Sequence, residues 1–191
     1  MISGVTRRIS SFHWPRFFLL LLVFSAIAAF YALGRINFLL YHTLVELGAI
    51  SVTVSVFTIG WNTRNIAAND SLFLLAVAYG SVAVLDLMHT LGYSGMGVFP
   101  DRGAELSTQL WMAARLVESL SLLATAVVIN RHMRLSTGII VGTYSAITAL
   151  FLLLIFPLDF FPAMYVPGQG LTSTKIAGEY FVCGVLIVAL A

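Results

Sequence analysis

Six apolar runs, each near the length of a membrane-crossing helix, alternate with short polar stretches along the 191 residues. A helix rising about 1.5 Å per residue needs about 20 apolar residues to cross a hydrocarbon core about 30 Å thick. The pattern therefore predicts an all-α, polytopic transmembrane bundle, with spans near residues 17–34, 38–61, 72–93, 106–129, 138–156 and 176–191. Pro157 suits the end of the fifth run, because proline cannot continue a helix. The sixth run is still apolar at Ala191, with no polar cap or basic flank, which reads as a bundle truncated from a longer one. Residues 1–16 form an N-terminal flank and residues 17–191 a single transmembrane domain, since no internal repeat, low-complexity tract or linker divides them.

Composition strengthens the membrane reading. Hydrophobic residues make up 60% of the chain and charged residues only 9%, against roughly 25% charged in soluble domains. The formal net charge of +2, with no basic cluster among aromatics, speaks against nucleic acid as a partner. The lone Cys183 cannot form an intramolecular disulfide. Arg7, Arg8 and Arg16 before an apolar run imitate a signal peptide, but the run is long for one and further spans follow, so a retained first helix is expected.

Orientation follows from the excess of Lys and Arg in cytoplasmic loops. A cytoplasmic N-terminus puts Arg7, Arg8, Arg16, Arg64, Arg131 and Arg134 inside, leaving Arg35, Arg102 and Lys175 outside. The long connections, 94–105 and 157–175, then face outward, and Phe160, Phe161 and Tyr165 suit the interface. Even so, the N-terminal flank and the segment Asn130-Arg131-His132-Met133-Arg134 carry most of the asymmetry.

Ionisable side chains inside spans are costly, so they mark candidate functional positions. The second span carries His42 and Glu46 at i,i+4. The third carries Asp86 and His89 at i,i+3, and the fourth Arg115 and Glu118 at i,i+3, preceded by Gln109 and Trp111. Each spacing places both members on one helix face. Counted at about 1.5 Å per residue, the three pairs fall in the same outer half of the bilayer, and Glu179 enters the sixth span about one turn from that side. Three carboxylates against one arginine leave an excess of acid, to be met by a proton, a charged histidine or a bound cation.

Several chemistries fit such a cluster. His42, Glu46, Asp86 and His89 offer a two-nitrogen, two-oxygen metal set, although no HExxH or CxxC pattern accompanies them. His42 and His89 at similar depth would also suit axial haem ligation, which nothing selects. Met88, Met96 and Met112 invite copper, with ordinary core packing the blander reading. His13 and His132 lie in flanks. The segment Gly92-Tyr93-Ser94-Gly95-Met96-Gly97-Val98-Phe99-Pro100 reads equally as a lid or as an ordinary turn. No nucleophile triad, phosphate-binding loop or dinucleotide fingerprint stands in the sequence, so this segment reads as non-enzymatic.

Certain stretches are similar to a known family. Tyr41-His42-Thr43-Leu44-Val45-Glu46-Leu47, Trp61-Asn62-Thr63-Arg64 and Leu85-Asp86-Leu87-Met88-His89-Thr90-Leu91 resemble the membrane-associated sensor domain of the third MASE type. So do Tyr93–Pro100, Thr108-Gln109-Leu110-Trp111-Met112-Ala113-Ala114-Arg115 and Glu118-Ser119-Leu120-Ser121-Leu122. The resemblance covers about residues 38–125 and returns at Gly178-Glu179-Tyr180. It implies an input module of a bacterial signalling protein in the inner membrane, ahead of a cytoplasmic PAS, GGDEF/EAL or histidine-kinase output in the same chain. The family's recurring polar positions fall on His42, Glu46, Asp86, His89, Trp111, Arg115 and Glu118.

The expected function is therefore a membrane sensor that detects a ligand or ion at the outer-half cluster and passes the change to a cytoplasmic output. Its partners would be the bilayer, that output domain and a second copy in a homodimer. Two rivals stay open: an ion or proton transporter or channel fragment using Asp86, Glu118 and Arg115, and a structural anchor whose polar network only fixes helix register.

Overall fold

The computed structural model describes residues 14–67, 69–100 and 102–190. Among them are six helices: α1 (Trp14–Ile36), α2 (Phe38–Ala67), α3 (Asp70–Leu91), α4 (Gly103–Asn130), α5 (Thr137–Ile155) and α6 (Ser173–Leu190). All six are long and apolar enough to cross a membrane. One hairpin joins them, β1 (Tyr165–Val166) and β2 (Gly170–Leu171). Arg7 and Arg8 of the orientation argument, and the flank residue His13, lie outside the described residues. The chain divides into two compact units, 1–42 and 43–191, the division falling within α2.

In the first unit, backbone bonding runs almost unbroken from α1 into α2. The Asn37 N–H donates to the Leu33 carbonyl at 2.8 Å, and Asn37 Oδ1 accepts the Leu40 N–H at 3.0 Å. The side chain thus satisfies an amide that a starting helix leaves without a partner. Tyr41 lies over Gly34, where a Cβ would stand 3.4 Å from its ring, and meets Phe30 edge-on at 6.3 Å. The spanning window of α1 has none of its residues buried, as suits a helix whose solvent is acyl chain.

The second unit is organised around α3 and α4. Asn69 caps α3, its Oδ1 accepting the N–H groups of Ser71 and Leu72 at 3.1 and 3.2 Å. The next residue, Asp70, takes the Leu135 N–H at 3.1 Å and so ties the α4–α5 connection to the foot of α3. Ala78, Val82 and Leu85 of α3 and Leu110, Ala113 and Ala114 of α4 are fully buried in one core. Small residues at this seam let the two helices approach closely, which drives helix association where lipid removes the hydrophobic driving force. The α5 helix adds Ile140, Tyr144 and Ile155 to that core. The Tyr144 hydroxyl donates to Ser121 Oγ at 2.8 Å, while the Ser81 hydroxyl meets the Tyr144 carbonyl at 3.5 Å.

The α6 helix packs on α4 through Met112, Met164 and Val182. Gly178 allows it: a Cβ there would lie 2.8 Å from Met112 Cε. The connection before α6, read from sequence as a loop, contains the short hairpin paired Tyr165 with Leu171 and Val166 with Gly170. Gly168 (φ +82) and Gly170 (φ +90) supply the left-handed backbone that turns it. Two-residue strands leave no alternation for a sequence pattern to show.

Candidate functional site

The α3 and α4 helices run antiparallel, and their polar residues meet in register. On α3, Tyr79, Asp86 and His89 stand at i, i+7 and i+10, one face of the helix. On α4, Arg115 and Glu118 stand at i, i+3. Arg115 Nη2 reaches both carboxylate oxygens of Asp86, at 2.8 and 2.6 Å, and its Nη1 donates to Glu118 Oε2 at 2.6 Å. Glu118 Oε1 in turn accepts from the Tyr79 hydroxyl at 3.4 Å. The Asp86 side chain is 2% exposed, against 26% for Arg115 and 24% for Glu118. Such a guanidinium holding two carboxylates is the short, charge-assisted pairing that a dry environment strengthens.

The ladder continues to His89, whose Nδ1 lies 2.7 Å from the Ser107 carbonyl. A carbonyl only accepts, so Nδ1 carries the proton and donates. The other ring nitrogen, Nε2, lies 3.8 Å from Glu46 Oε1 on α2. From Tyr79 to His89 the ladder extends about 15 Å along α3, roughly half the hydrocarbon thickness. Arg115 Nε, buried, has no hydrogen-bond partner among the described residues.

Trp111 joins this ladder to α6. Its ring centre lies 5.9 Å from Arg115 Cζ and only 3.3 Å from Lys175 Nζ. The Lys175 side chain is 5% exposed and pairs with Glu179 at 3.0 Å, one turn along the same helix. An ammonium in a desolvated site on an indole face is held by both the ring quadrupole and the carboxylate.

Two further α4 side chains fasten the segment before α6. Glu105 accepts the N–H groups of Met164 and Tyr165, the first at 2.9 Å. Gln109 Nε2 donates to the carbonyls of Phe161 and Pro162 at 3.2 and 3.3 Å. Successive turns of α4 thus hold the approach to α6, then α6 itself, then the ladder.

The model of the MASE3 family, a membrane-associated sensor domain, matches residues 33–191. The chain belongs to that family. No curated protein and no solved structure matches it. The sequence motifs named the same family, and the MASE3 domain is accordingly a multi-pass membrane sensor domain with a role in signalling.

Within this MASE3 domain the residues singled out from sequence are distributed as follows. Asp86, Arg115 and Glu118 form one bonded group, Glu46 and His89 face each other at its end, and Trp111 links it to Glu179 through Lys175. Gln109 is buried but turns to the loop carbonyls instead of joining the charged group. His42 lies half-buried on α2, one turn before Glu46, with its ring 6.2 Å from that of Phe38. Of the soft candidates, Met96 accepts the Thr43 hydroxyl at 3.6 Å and Met112 packs against α6.

Sequence reasoning missed Tyr79, Glu105 and Lys175. Tyr79 stands two turns before Asp86, a polar group on the same face that the spacing could have shown. Lys175 stands four residues before Glu179, the spacing of a helical ion pair. It escaped notice because it was counted as a loop cation. The glycine-rich segment at 92–100 holds Gly95 and Gly97 at positive φ, while its Phe99 ring lies 5.4 Å from that of Phe156.

Proposed function

We propose that this domain is the sensory input element of a bacterial signalling protein, multi-pass in the inner membrane with its N-terminus in the cytoplasm. A stimulus acting on the ladder of Glu46, Asp86, His89, Arg115 and Glu118 changes how α4 holds α6, and a cytoplasmic output domain in the same chain reads the change. The observation that carries this reading is the shared Trp111: one ring contacts both the ladder's arginine and the buried lysine of α6. Any rearrangement of Arg115 is therefore felt at α6. A ligand transmits only if it binds one packing better than the other, and a buried ion network with discrete partners provides such alternatives.

The orientation is supported by the state of the cations assigned outside. Lys175 is buried in the first turn of α6, so it is no loop cation, and Arg102 engages Asp159 at 3.4 Å and the Phe156 carbonyl at 2.7 Å. Six candidate spans among the described residues suit an even number of crossings, as a cytoplasmic output on the side of a cytoplasmic N-terminus requires. Against transport stands the continuity of α3 and α4 through the depth of the ladder, where transporters place broken helices.

The test is the output of the complete signalling protein in cells carrying Arg115→Gln or Lys175→Met, with insertion checked by membrane fractionation. Both substitutions are expected to fix the output at one level irrespective of conditions. An output that still responds as in the parent would remove the proposal.

A further inference from the structure

The end of the ladder nearest α2 carries a more specific chemistry than the arginine pair. We propose that Glu46 and His89 bind a divalent first-row transition-metal ion of the zinc-to-copper class. This inference names the ligand of the sensory site proposed above and rests on that reading.

Two observations support it. The His89 Nδ1–H is committed to the Ser107 carbonyl at 2.7 Å. Metal-binding histidines regularly donate their second ring N–H in this way, which fixes the ring and presents the other nitrogen to the ion. That nitrogen, Nε2, lies 3.8 Å from Glu46 Oε1. The distance is too long for a hydrogen bond, yet it falls within the roughly 4.2 Å that two donors can span across one ion at bond lengths of about 2.0–2.2 Å.

The donor types narrow the ion. Imidazole with carboxylate, in place of an all-oxygen set, favours Zn²⁺, Ni²⁺ or Cu²⁺ over Mg²⁺ or Ca²⁺.

A groove of about 720 Å³, lined by such residues as Ile50, Phe57, Val84 and Leu152, shares no residue with this site. It is apolar and suits an acyl chain, not an ion.

The chain, purified in lipid nanodiscs and stripped with a chelator, is titrated with Zn²⁺ by calorimetry. A parallel titration uses Co²⁺, whose visible absorption reports nitrogen and oxygen ligation. One ion per chain is expected, with affinity falling by about 10- to 100-fold or more in Glu46→Gln and in His89→Asn. The asparagine keeps a donor for the Ser107 carbonyl while removing Nε2, so the ring's structural role is separated from ligation. Exposed Arg134→Ala serves as the unaffected control. Absence of a bound ion, or an affinity in Glu46→Gln and His89→Asn equal to that of the parent, overturns the metal site. In that case an output that still depends on Arg115 leaves the sensor reading intact. Conversely, a bound ion with an output indifferent to Arg115 removes the sensor reading and keeps the ion.

Discussion

The ammonium of Lys175 lies 3.3 Å from the centre of the Trp111 ring, buried between α4 and α6. Cation–π contacts contribute about 2 kcal/mol or more when desolvated, so this one contact is a substantial share of what fixes the start of α6. Lys175→Met keeps the apolar stem and removes the charge. It is expected to lower stability by about 1–2 kcal/mol in SDS titration of the mixed-micelle protein, and Trp111→Leu by more. A change below a few tenths of a kcal/mol in both would show that the contact does not hold α6.

Breaking the arginine pair leaves Asp86 buried and uncompensated. Arg115→Met alone is therefore expected to cost about 3–5 kcal/mol, and Asp86→Asn less, because asparagine leaves no stranded charge. The double substitution should be less damaging than the sum, with a coupling energy of about 1–3 kcal/mol in the double-mutant cycle. Additive effects would mean that the two side chains do not interact in the membrane.

Six spans were legible because lipid imposes a length on apolar runs, and the level pairs because helical spacing of 3 or 4 residues fixes a face. Partner choice was not. Nothing local to Arg115 shows that it takes both oxygens of Asp86 and also Glu118, since that depends on the antiparallel register of α3 against α4. Lys175 shows the limit from the other side: at the edge of an apolar run it reads as a loop cation, and only the indole across on α4 places it inside. The Gln109 amide was readable as buried, but its acceptors lie more than 50 residues away in a loop without pattern.

Two glycines differ in what a methyl group would meet. At Gly60 a Cβ would lie 2.2 Å from the Cβ of Ala76, part of a short side chain fixed to the α3 backbone, whereas at Gly178 it meets the flexible end of Met112 at 2.8 Å. Gly60→Ala is therefore expected to push α2 off α3 at a cost of about 1–3 kcal/mol. Gly178→Ala should cost markedly less as Met112 changes rotamer. The SDS midpoints of the two variants check the order, and a Gly178→Ala chain less stable than Gly60→Ala would contradict this packing.

Glu105 holds two amides of the segment leading to α6. Glu105→Ala should expose the Met164 and Tyr165 N–H groups, raising their hydrogen exchange by about 10-fold or more, as loss of about 1.5–3 kcal/mol per charge-assisted bond implies. Exchange on the α3 side of the ladder should stay as in the parent. Unaltered exchange at 164–165 would mean that α4 does not fasten this segment through Glu105.

The central claim is that the state of the Arg115 ladder sets the packing of α6. Cys183 sits exposed on α6, and a second cysteine placed at exposed Leu87 on α3 gives a spin-label pair read by pulsed dipolar spectroscopy in nanodiscs. Replacing Arg115 with Gln in that labelled chain is the most direct measurement. The account predicts a shifted or newly bimodal distance distribution between α3 and α6, and a distribution identical to that of the parent would contradict it.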